Sequence, residues 1–234
     1  MNFEFVNGLP VGYIKNFSCL VIGDLHLGKE LKFENKGITF VNINEKISKT
    51  LTDVFSKRKV KKIMILGDVK ESIMYPDRNE YLLLKRFFES IQENKIEIFI
   101  AKGNHDGHLE EVFKQIKINV TINKEVFLGD FVFMHGNALP SQEAMLKKYL
   151  VVAHAHAVYN GESVWIKTGI GKNAKKAYKK INEKEKLILV PHFNPLLNGL
   201  ELDKVGDFMP IFRNNIFSFE NKKVFTLSSK EIKY

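Results

Sequence analysis

The sequence has a single cysteine, Cys19, and no long uninterrupted apolar run. One cysteine forms no intrachain disulfide and no thiolate cluster, so a metal site in this chain must use His, Asp, Glu and Asn side chains. No stretch reaches the roughly 18 apolar residues that a membrane-spanning helix needs. The opening MNFEFVNGLP has neither a basic leader nor a long apolar segment. We therefore expect a cytoplasmic protein that does not contact membranes.

Internal repeats, low-complexity tracts and Pro/Ser-rich linkers are also lacking, so nothing marks a domain boundary. A chain of 234 residues with 44% hydrophobic and 27% charged residues has an ordinary globular composition. This composition excludes the disordered and fibrous classes. We predict one domain spanning residues 1–234.

The charge is unbalanced toward positive, with 36 Lys and Arg against 27 Asp and Glu, a net charge of +9. Such a field attracts polyanions, including nucleic acid. Only four of the basic residues are arginine, and codon bias or a Lys/Glu-rich thermophile surface gives the same excess. The most basic stretch, residues 171–186, reads either as a solvated helix or loop or as a segment in which Tyr178 stacks on a base.

Apolar, β-branched runs alternate with segments of helical spacing in the first two thirds of the chain. The predicted strands are residues 18–22, 63–66, 96–101, 131–134 and 150–153, and the predicted helices are residues 43–55, 83–91 and 109–116. This alternation is typical of the α/β class. Five further strands, residues 164–167, 187–190, 211–213, 216–219 and 224–227, have few helices between them and predict a second, more antiparallel sheet.

Metal-binding side chains follow directly after each of the first five predicted strands. In order they are Asp24 and His26, Asp68, Asn104 with His105 and Asp106, His135, and His154 with His156. Ligands of α/β proteins bind at the carboxyl ends of strands, where the loops converge. In extended backbone, residues two apart point the same way, so each D-x-H or H-x-H pair can hold one ion.

The residue types indicate which ions fit. Carboxylate, amide and imidazole groups suit Mn, Fe, Zn or Ni better than a thiolate-preferring metal or Ca²⁺. Two aspartates, one asparagine and four histidines exceed what one ion needs, which favours two ions sharing a bridging carboxylate. A single D-x-H or H-x-H is common by chance, whereas the ordered set of five is not, and we therefore predict a metal site.

The ordered set resembles the calcineurin-like metallophosphoesterases over positions 23–156. The stretches GDLHLGKE, GNHDGHLEEV and PHFNPLLNGLELD further resemble the archaeal SbcD-related phosphoesterases and those associated with DNA ligase operons. The resemblance implies an α/β fold in which a two-sheet β-sandwich is flanked by helices. It also implies two divalent metal ions, for which we expect Mn²⁺, with Fe, Zn or Ni as alternatives.

The resemblance implies a role for each residue of the set. One ion would be held by Asp24, His26 and His156, the other by Asn104, His135 and His154, and Asp68 would bridge both. His105 would be the catalytic histidine that is not a ligand. Independently of the resemblance, Glu71 or Asp106 is a candidate to orient it, with an ordinary loop carboxylate as the alternative interpretation of each. Ala153 stands where the family commonly has glycine, so we expect a slightly altered turn. Asp68-Val69 replaces the Asp-Arg pair of protein Ser/Thr phosphatases, which makes phosphoprotein substrates less expected.

The leading functional hypothesis is hydrolysis of phosphodiesters of nucleic acid or nucleotides by a metal-activated hydroxide. A small-molecule phosphatase or cyclic-nucleotide phosphodiesterase is the alternative, and lysines scattered away from the cleft would favour it. A third hypothesis is a non-catalytic binding subunit of a DNA-processing complex. Homodimerisation and a DNA-processing partner both stay open.

Four other side chains have competing interpretations. Lys70 either contacts substrate phosphate or is an ordinary solvated lysine, and the second is the default. His192 belongs either to a loop bordering the cleft or to a buried turn. Trp165 fits a core better than a base-stacking surface, and His108 fits the surface better than a metal site.

Overall fold

The computed structural model describes residues 3–34, 37 and 43–233. Its first sheet has six strands in the order β1-β2-β3-β4-β5-β6. Their bounds are β1 Phe3–Phe5, β2 Gly12–Ile14, β3 Cys19–Ile22, β4 Lys62–Ile65, β5 Glu97–Ala101 and β6 Val120–Asn123. Strands β3 to β6 are parallel, while β1 and β2 pair antiparallel at one edge.

The second sheet is mixed and has nine strands. Their bounds are β7 Glu125–Leu128, β8 Phe131–Met134, β9 Tyr149–Val152, β10 Ala157–Tyr159, β11 Glu162–Gly169, β12 Lys186–Leu189, β13 Leu200–Glu201, β14 Lys223–Thr226 and β15 Glu231–Ile232. The order is β13-β10-β11-β12-β9-β8-β7, and β14 pairs with β11 and β15. Strands β8, β9 and β12 are parallel neighbours, and β11 pairs antiparallel with β10, β12 and β14.

Seven α-helices accompany the sheets in the described residues. Their bounds are α1 Lys29–Glu34, α2 Ile43–Lys57, α3 Arg78–Glu93, α4 Leu109–Ile116, α5 Ala174–Ala177, α6 Leu202–Phe208 and α7 Pro210–Arg213. Helix α3 begins where the Asp77 carboxylate accepts hydrogen bonds from the backbone N–H groups of Asn79 and Glu80, a common N-cap arrangement. Within the described ranges, no helix combines the length and the apolar character needed to cross a bilayer.

Strand alternation builds the core in three layers. On β3, Leu20 and Ile22 pack with helices α2, α3 and α4, whereas Cys19 and Val21 face the second sheet. Trp165 on β11 is fully buried in that middle layer, and its ring stacks on Phe5 at 4.2 Å. Helices α6 and α7 cover the outer face of the second sheet. The predicted two-sheet fold with flanking helices and the core position of Trp165 are therefore confirmed.

Two predicted strands are wrong. Residues 211–213 lie in α7, because Pro210 occupies the first turn of a helix, where its fixed φ and missing N–H are tolerated. Residues 216–219 form no strand, and only an isolated bridge joins Phe217 to Ile170. The other predicted strands are present with ends shifted by one or two residues, and the helix predicted over residues 109–116 is α4.

Candidate metal centre

The loops after five strands meet at one end of the two sheets. Strands β3, β4 and β5 deliver their loops from the first sheet, and β8 and β9 deliver theirs from the second. Backbone hydrogen bonds tie the loops together, with His26 N–H donating to the Asp68 carbonyl at 2.7 Å. A Cβ on Gly23 would lie 2.7 Å from the Ala153 Cβ, so the two sheets approach closely here. The small side chain at position 153 is compatible with that approach.

Most of the predicted ligand residues have left-handed backbone rather than the extended backbone expected from the D-x-H and H-x-H spacing. The φ values are 52° for Asp24, 39° for His26, 46° for Asp68, 74° for His154 and 47° for His156. The prediction of extended segments is therefore wrong. Each such residue costs about 1–2 kcal/mol relative to ordinary backbone, and strain of this kind is concentrated at functional sites.

Asp68 lies at the centre of the cluster. Its Oδ2 is 3.4 Å from His26 Nε2 and 3.2 Å from His135 Nε2, while its Oδ1 accepts a hydrogen bond from the His105 N–H at 2.9 Å. Burial opposes ionisation of this carboxyl, but its ion-pair contacts with His135 and His26 outweigh burial and hold its pKa far below the usual range. Asp68 is thus an ionised carboxylate between two imidazoles.

Asp24 connects the remaining histidines. Its Oδ1 is 3.5 Å from His156 Nε2 and 3.7 Å from His135 Nδ1, and both its oxygens accept from the His154 N–H at 3.2 Å. His154 Nδ1 lies 2.9 Å from His135 Nε2. Burial opposes ionisation of Asp24 too, yet His156 and His135 lower its pKa.

The cluster fits divalent cations. The Nε2 atoms of His26 and His156 are buried and have no hydrogen-bond partner among the described residues, which is the condition of a nitrogen facing an ion site. The ligand atoms of Asp68, His135 and His154 lie within 4.8 Å of one another, as do those of a second group, His26 with Glu71 and His105. Nitrogen and carboxylate donors without thiolates suit Mn, Fe, Zn or Ni.

Electrostatics points the same way. Burial disfavours the charged forms of His26 and His135, but the adjacent Asp68 carboxylate raises both pKa values to about 9, with Glu71 contributing at His26. Burial and the neighbouring His135 instead lower the pKa of His154 to about 4. The two carboxylates of the cluster therefore favour positive charge beside them.

The carboxylates of Glu71 and Asp106 form their hydrogen bonds with groups other than the His105 ring, although Glu71 lies close to it. Glu71 Oε2 is 2.8 Å from His26 Nδ1, and its Oε1 is 2.7 Å from Lys32 Nζ. Burial opposes ionisation of Glu71, but bonds to His26 and Lys32 lower its pKa to about 2. Asp106 accepts from the N–H groups of Val69 and Gly103, both at 2.8 Å. It is the Glu71 backbone carbonyl that accepts from His105 Nδ1, at 2.8 Å.

Lys70 is fully buried, and the default interpretation of a solvated lysine is therefore wrong. Its ammonium donates to the carbonyls of His105 at 2.7 Å, Met74 at 2.7 Å and Ile73 at 3.2 Å, and to that of Ser72. These bonds fasten the loop after β4 to the loop that carries His105. No local sequence pattern distinguishes this lysine from a surface one.

His192 is buried and also borders the cluster, so both interpretations hold in part. Its ring centroid is 5.6 Å from that of His156, and its Nε2 lies 3.2 Å from Ser163 Oγ. Burial lowers its pKa to about 4. Nearby, the buried Asn194 donates to the carbonyls of Leu25 at 2.8 Å and His26 at 3.2 Å, which supports the strained loop after β3.

The structure also shows the surroundings of His108 and Tyr178, two residues outside the cluster. His108 is exposed and pairs with Glu111 at 3.2 Å, as expected. Tyr178 is partly buried, and its hydroxyl donates to the Pro140 carbonyl at 2.8 Å, so this ring is held in place within the structure.

A cavity of about 360 Å³ opens over the cluster. It is lined by His26, Asp68, Asn104, His105, His154, Ala155, His156, Asn198, Gly199, Leu200 and Phe208. Asn198, Gly199 and Leu200 belong to the PHFNPLLNGLELD stretch of the sequence analysis, whereas Phe208, at the end of α6, was not singled out. A neighbouring groove of about 740 Å³ contains His135, Lys102 and Lys124 among its lining residues.

One family model and several solved structures match this chain. The family described as calcineurin-like phosphoesterase matches residues 17–223. Among solved structures, a nuclease of Pseudomonas putida matches with a TM-score of 0.61 and 16% identity, covering 97% of this chain and 98% of that one. A protein of unknown function from Aquifex aeolicus matches with a TM-score of 0.40 and 16% identity, covering 58% of this chain and 77% of that one. No curated protein sequence matches.

Proposed function

Since the chain belongs to the calcineurin-like phosphoesterase family, and is therefore a metal-dependent phosphoester hydrolase, we propose that it cleaves phosphodiesters of nucleic acid or nucleotides. The observation that carries the proposal is the carboxylate-histidine cluster beneath an open cavity. The net charge of +9 favours polyanionic substrates. One protein of the same fold, from Pseudomonas putida, is a nuclease, so the scaffold accommodates nucleic-acid cleavage. We also propose a closer relationship to the archaeal SbcD-related and ligase-associated phosphoesterases.

The proposed site holds two divalent ions, with Mn²⁺ as the expected metal. The contacts of Asp68 with His26 on one side and His135 on the other support a bridging role for this carboxylate. The proposed ligands of the two ions are Asp24, His26 and His156 for one, and Asn104, His135 and His154 for the other. When bound, such ions lower the pKa of water and neutralise phosphate charge.

His105 is the proposed general acid. A carbonyl oxygen only accepts, so the bond to the Glu71 carbonyl fixes the His105 proton on Nδ1 when the ring is neutral. Nε2 is then the atom available to donate a proton to the leaving oxygen once the ring is charged. The His105 side chain lines the cavity, where a substrate phosphate would be held.

Glu71 and Asp106 are proposed as positioning residues. Glu71 orients the proposed ligand His26 through its carboxylate and His105 through its carbonyl. The Asp106 carboxylate accepts hydrogen bonds from the N–H groups of Gly103, in its own loop, and Val69, in the loop after β4. It therefore holds the backbone around His105 in place.

A small-molecule phosphatase or cyclic-nucleotide phosphodiesterase remains the second candidate, and one observation favours it. No Lys or Arg is among the described residues that line the cavity, although Lys102 and Lys124 line the neighbouring groove. A substrate confined to the cavity would therefore meet few cations besides the metals.

An activity panel with Mn²⁺ separates these functions. The substrates are a model monoester, a model diester, cyclic nucleotides, and single- and double-stranded oligonucleotides. We expect preference for the diester and the oligonucleotides. Preference for the monoester or for cyclic nucleotides would establish the second candidate, and hydrolysis of none would point to a non-catalytic binding subunit.

Metal analysis tests the proposed bridging ligand. Asp68→Asn should lower the content of both bound ions, since this carboxylate contacts both halves of the cluster. Asp53→Asn, on the exposed surface of α2, is the matched control and should retain both. Loss of only one ion in Asp68→Asn would contradict the bridging role.

A further inference from the structure

Phe208 is a large aromatic side chain exposed at the wall of the cavity. It is the last residue of α6 and is 46% exposed, whereas Val205, one helical turn earlier, and Met209, the next residue, are buried. Of the exposed large hydrophobic side chains in the described part of the chain, Phe208 is the one that lines this cavity. Stacking with a ligand would remove this apolar surface from water.

The orientation of the ring is fixed by its contact with the cluster. Phe208 stacks on His154 with ring centroids 5.0 Å apart and planes at 27°, and His154 in turn contacts His135. His154 covers one face of the Phe208 ring, so the exposed area belongs to the opposite face and the edges. A flat group stacked there would lie beside the proposed metal ligands, where its phosphate would be cleaved.

The size and composition of the cavity suit a single aromatic unit. Its volume of about 360 Å³ is at the lower end of the roughly 300–1,000 Å³ typical of small-ligand sites. With no Lys or Arg along its described lining, recognition of the group attached to the phosphate depends on shape and stacking rather than charge. Stacking is tolerant of base identity because every base has a π face.

We infer that Phe208 is a stacking platform for a planar aromatic ring of the substrate, so that the cavity selects nucleotides and aryl phosphodiesters over aliphatic ones. This selectivity acts on the proposed phosphodiesterase activity and depends on it. Losing a base-stacking aromatic weakens binding by roughly 5- to 150-fold in other proteins, which sets the effect expected here.

The test compares two competitive inhibitors of model-diester hydrolysis in Mn²⁺. Deoxyadenosine monophosphate carries a base, and deoxyribose phosphate has the same sugar and phosphate without one. The wild-type protein should bind the first more tightly by roughly 5- to 150-fold. Phe208→Leu should remove this preference and leave the inhibition constant of deoxyribose phosphate unchanged, while Phe208→Tyr should retain the preference.

The matched control is Phe127→Leu, the same substitution at a ring on β7 that is 36% exposed and lies outside the lining of this cavity. It should behave as wild type. A preference that survives in Phe208→Leu would overturn the platform role, as would equal weakening of both inhibitors, which would mark Phe208 as merely structural. If the wild-type protein hydrolyses no diester, the phosphodiesterase proposal fails. Equilibrium dialysis of the two phosphates in Mn²⁺ then still supports or overturns the platform by the same comparison.

Discussion

Replacing Lys70 with methionine tests how the loop carrying His105 is held in place. Methionine is close to lysine in length but has no hydrogen-bond donor. The substitution therefore removes the ammonium, in a fully buried position, to which four backbone carbonyls are bonded, those of His105, Met74, Ile73 and Ser72. An unsatisfied buried acceptor costs about 1–3 kcal/mol. The ammonium has only three N–H groups and the four losses are coupled, so simple addition overstates the effect.

The expected loss of unfolding free energy is about 3–5 kcal/mol, which corresponds to roughly two unsatisfied buried acceptors at about 1–3 kcal/mol each. In a chain of 234 residues this corresponds to a fall in Tm of roughly 6–20 °C. Urea unfolding followed by circular dichroism measures it, and an unchanged dependence on urea concentration would show that both proteins unfold to similar states. The turnover number should also fall, because the His105 carbonyl loses its hydrogen bond from Lys70, while metal content stays constant.

Lys102→Met is the matched control. Lys102 follows β5 and pairs with the exposed Glu110 at 2.8 Å, a surface ion pair that contributes about 0–1 kcal/mol. Equal stability losses in the two variants would refute the reasoning. The hydrogen bonds from Lys70 to the buried carbonyls would then contribute no more to the free energy of unfolding than a surface ion pair does. If Lys70→Met keeps wild-type turnover, the hydrogen bonds from Lys70 are not needed for the function of His105.

Three further predictions concern the proposed acid, the metal centre and a buried carboxyl. His105→Asn should lower turnover by roughly two to four orders of magnitude while bound Mn²⁺, measured by elemental analysis, is retained. Mn²⁺ binding to the metal-free protein near pH 7 should release protons, because the pKa values of about 9 keep His26 and His135 charged, whereas ligands must be neutral. Calorimetry in buffers of different ionisation enthalpy measures this release, and the same heat in every buffer would contradict it. Burial raises the pKa of Glu185 from 4.5 to about 8, and its buried oxygens have no partner among the described residues. The folded state therefore holds this proton more tightly than the unfolded chain, so stability falls as pH rises from about 4.5 through 8. Glu185→Gln should reduce that dependence and be more stable at pH 9 by about 1–3 kcal/mol, and a variant with an unchanged pH profile of urea unfolding would exclude this cause.

The strand positions were predictable because each depends on a local pattern. β3, β4, β5, β8 and β9 are short apolar runs ending in polar residues, and their order along the chain brought Asp24, Asp68 and His135 to one edge. A short apolar run is visible from neighbouring residues alone. The wrong strand prediction at residues 211–213 has a local cause. These three apolar and basic residues fit a strand or a helix equally well, and Pro210 and the packing of α7 favour the helix.

The sequence by itself determined which residue types gather at the carboxyl ends of the strands, and the match of residues 17–223 to a phosphoesterase family agrees with that chemistry. Only the tertiary structure decided how those residues meet, through the left-handed backbone at Asp24 and His154, the burial of Lys70 among carbonyls, and the stacking of Phe208 on His154. The physical reason is that the types of the metal-binding residues and the spacings between them are visible in short stretches of sequence. Loop conformation, burial and ring contacts arise from residues far apart in the chain, and Phe208 is separated from His154 by four strands, helix α5 and most of α6.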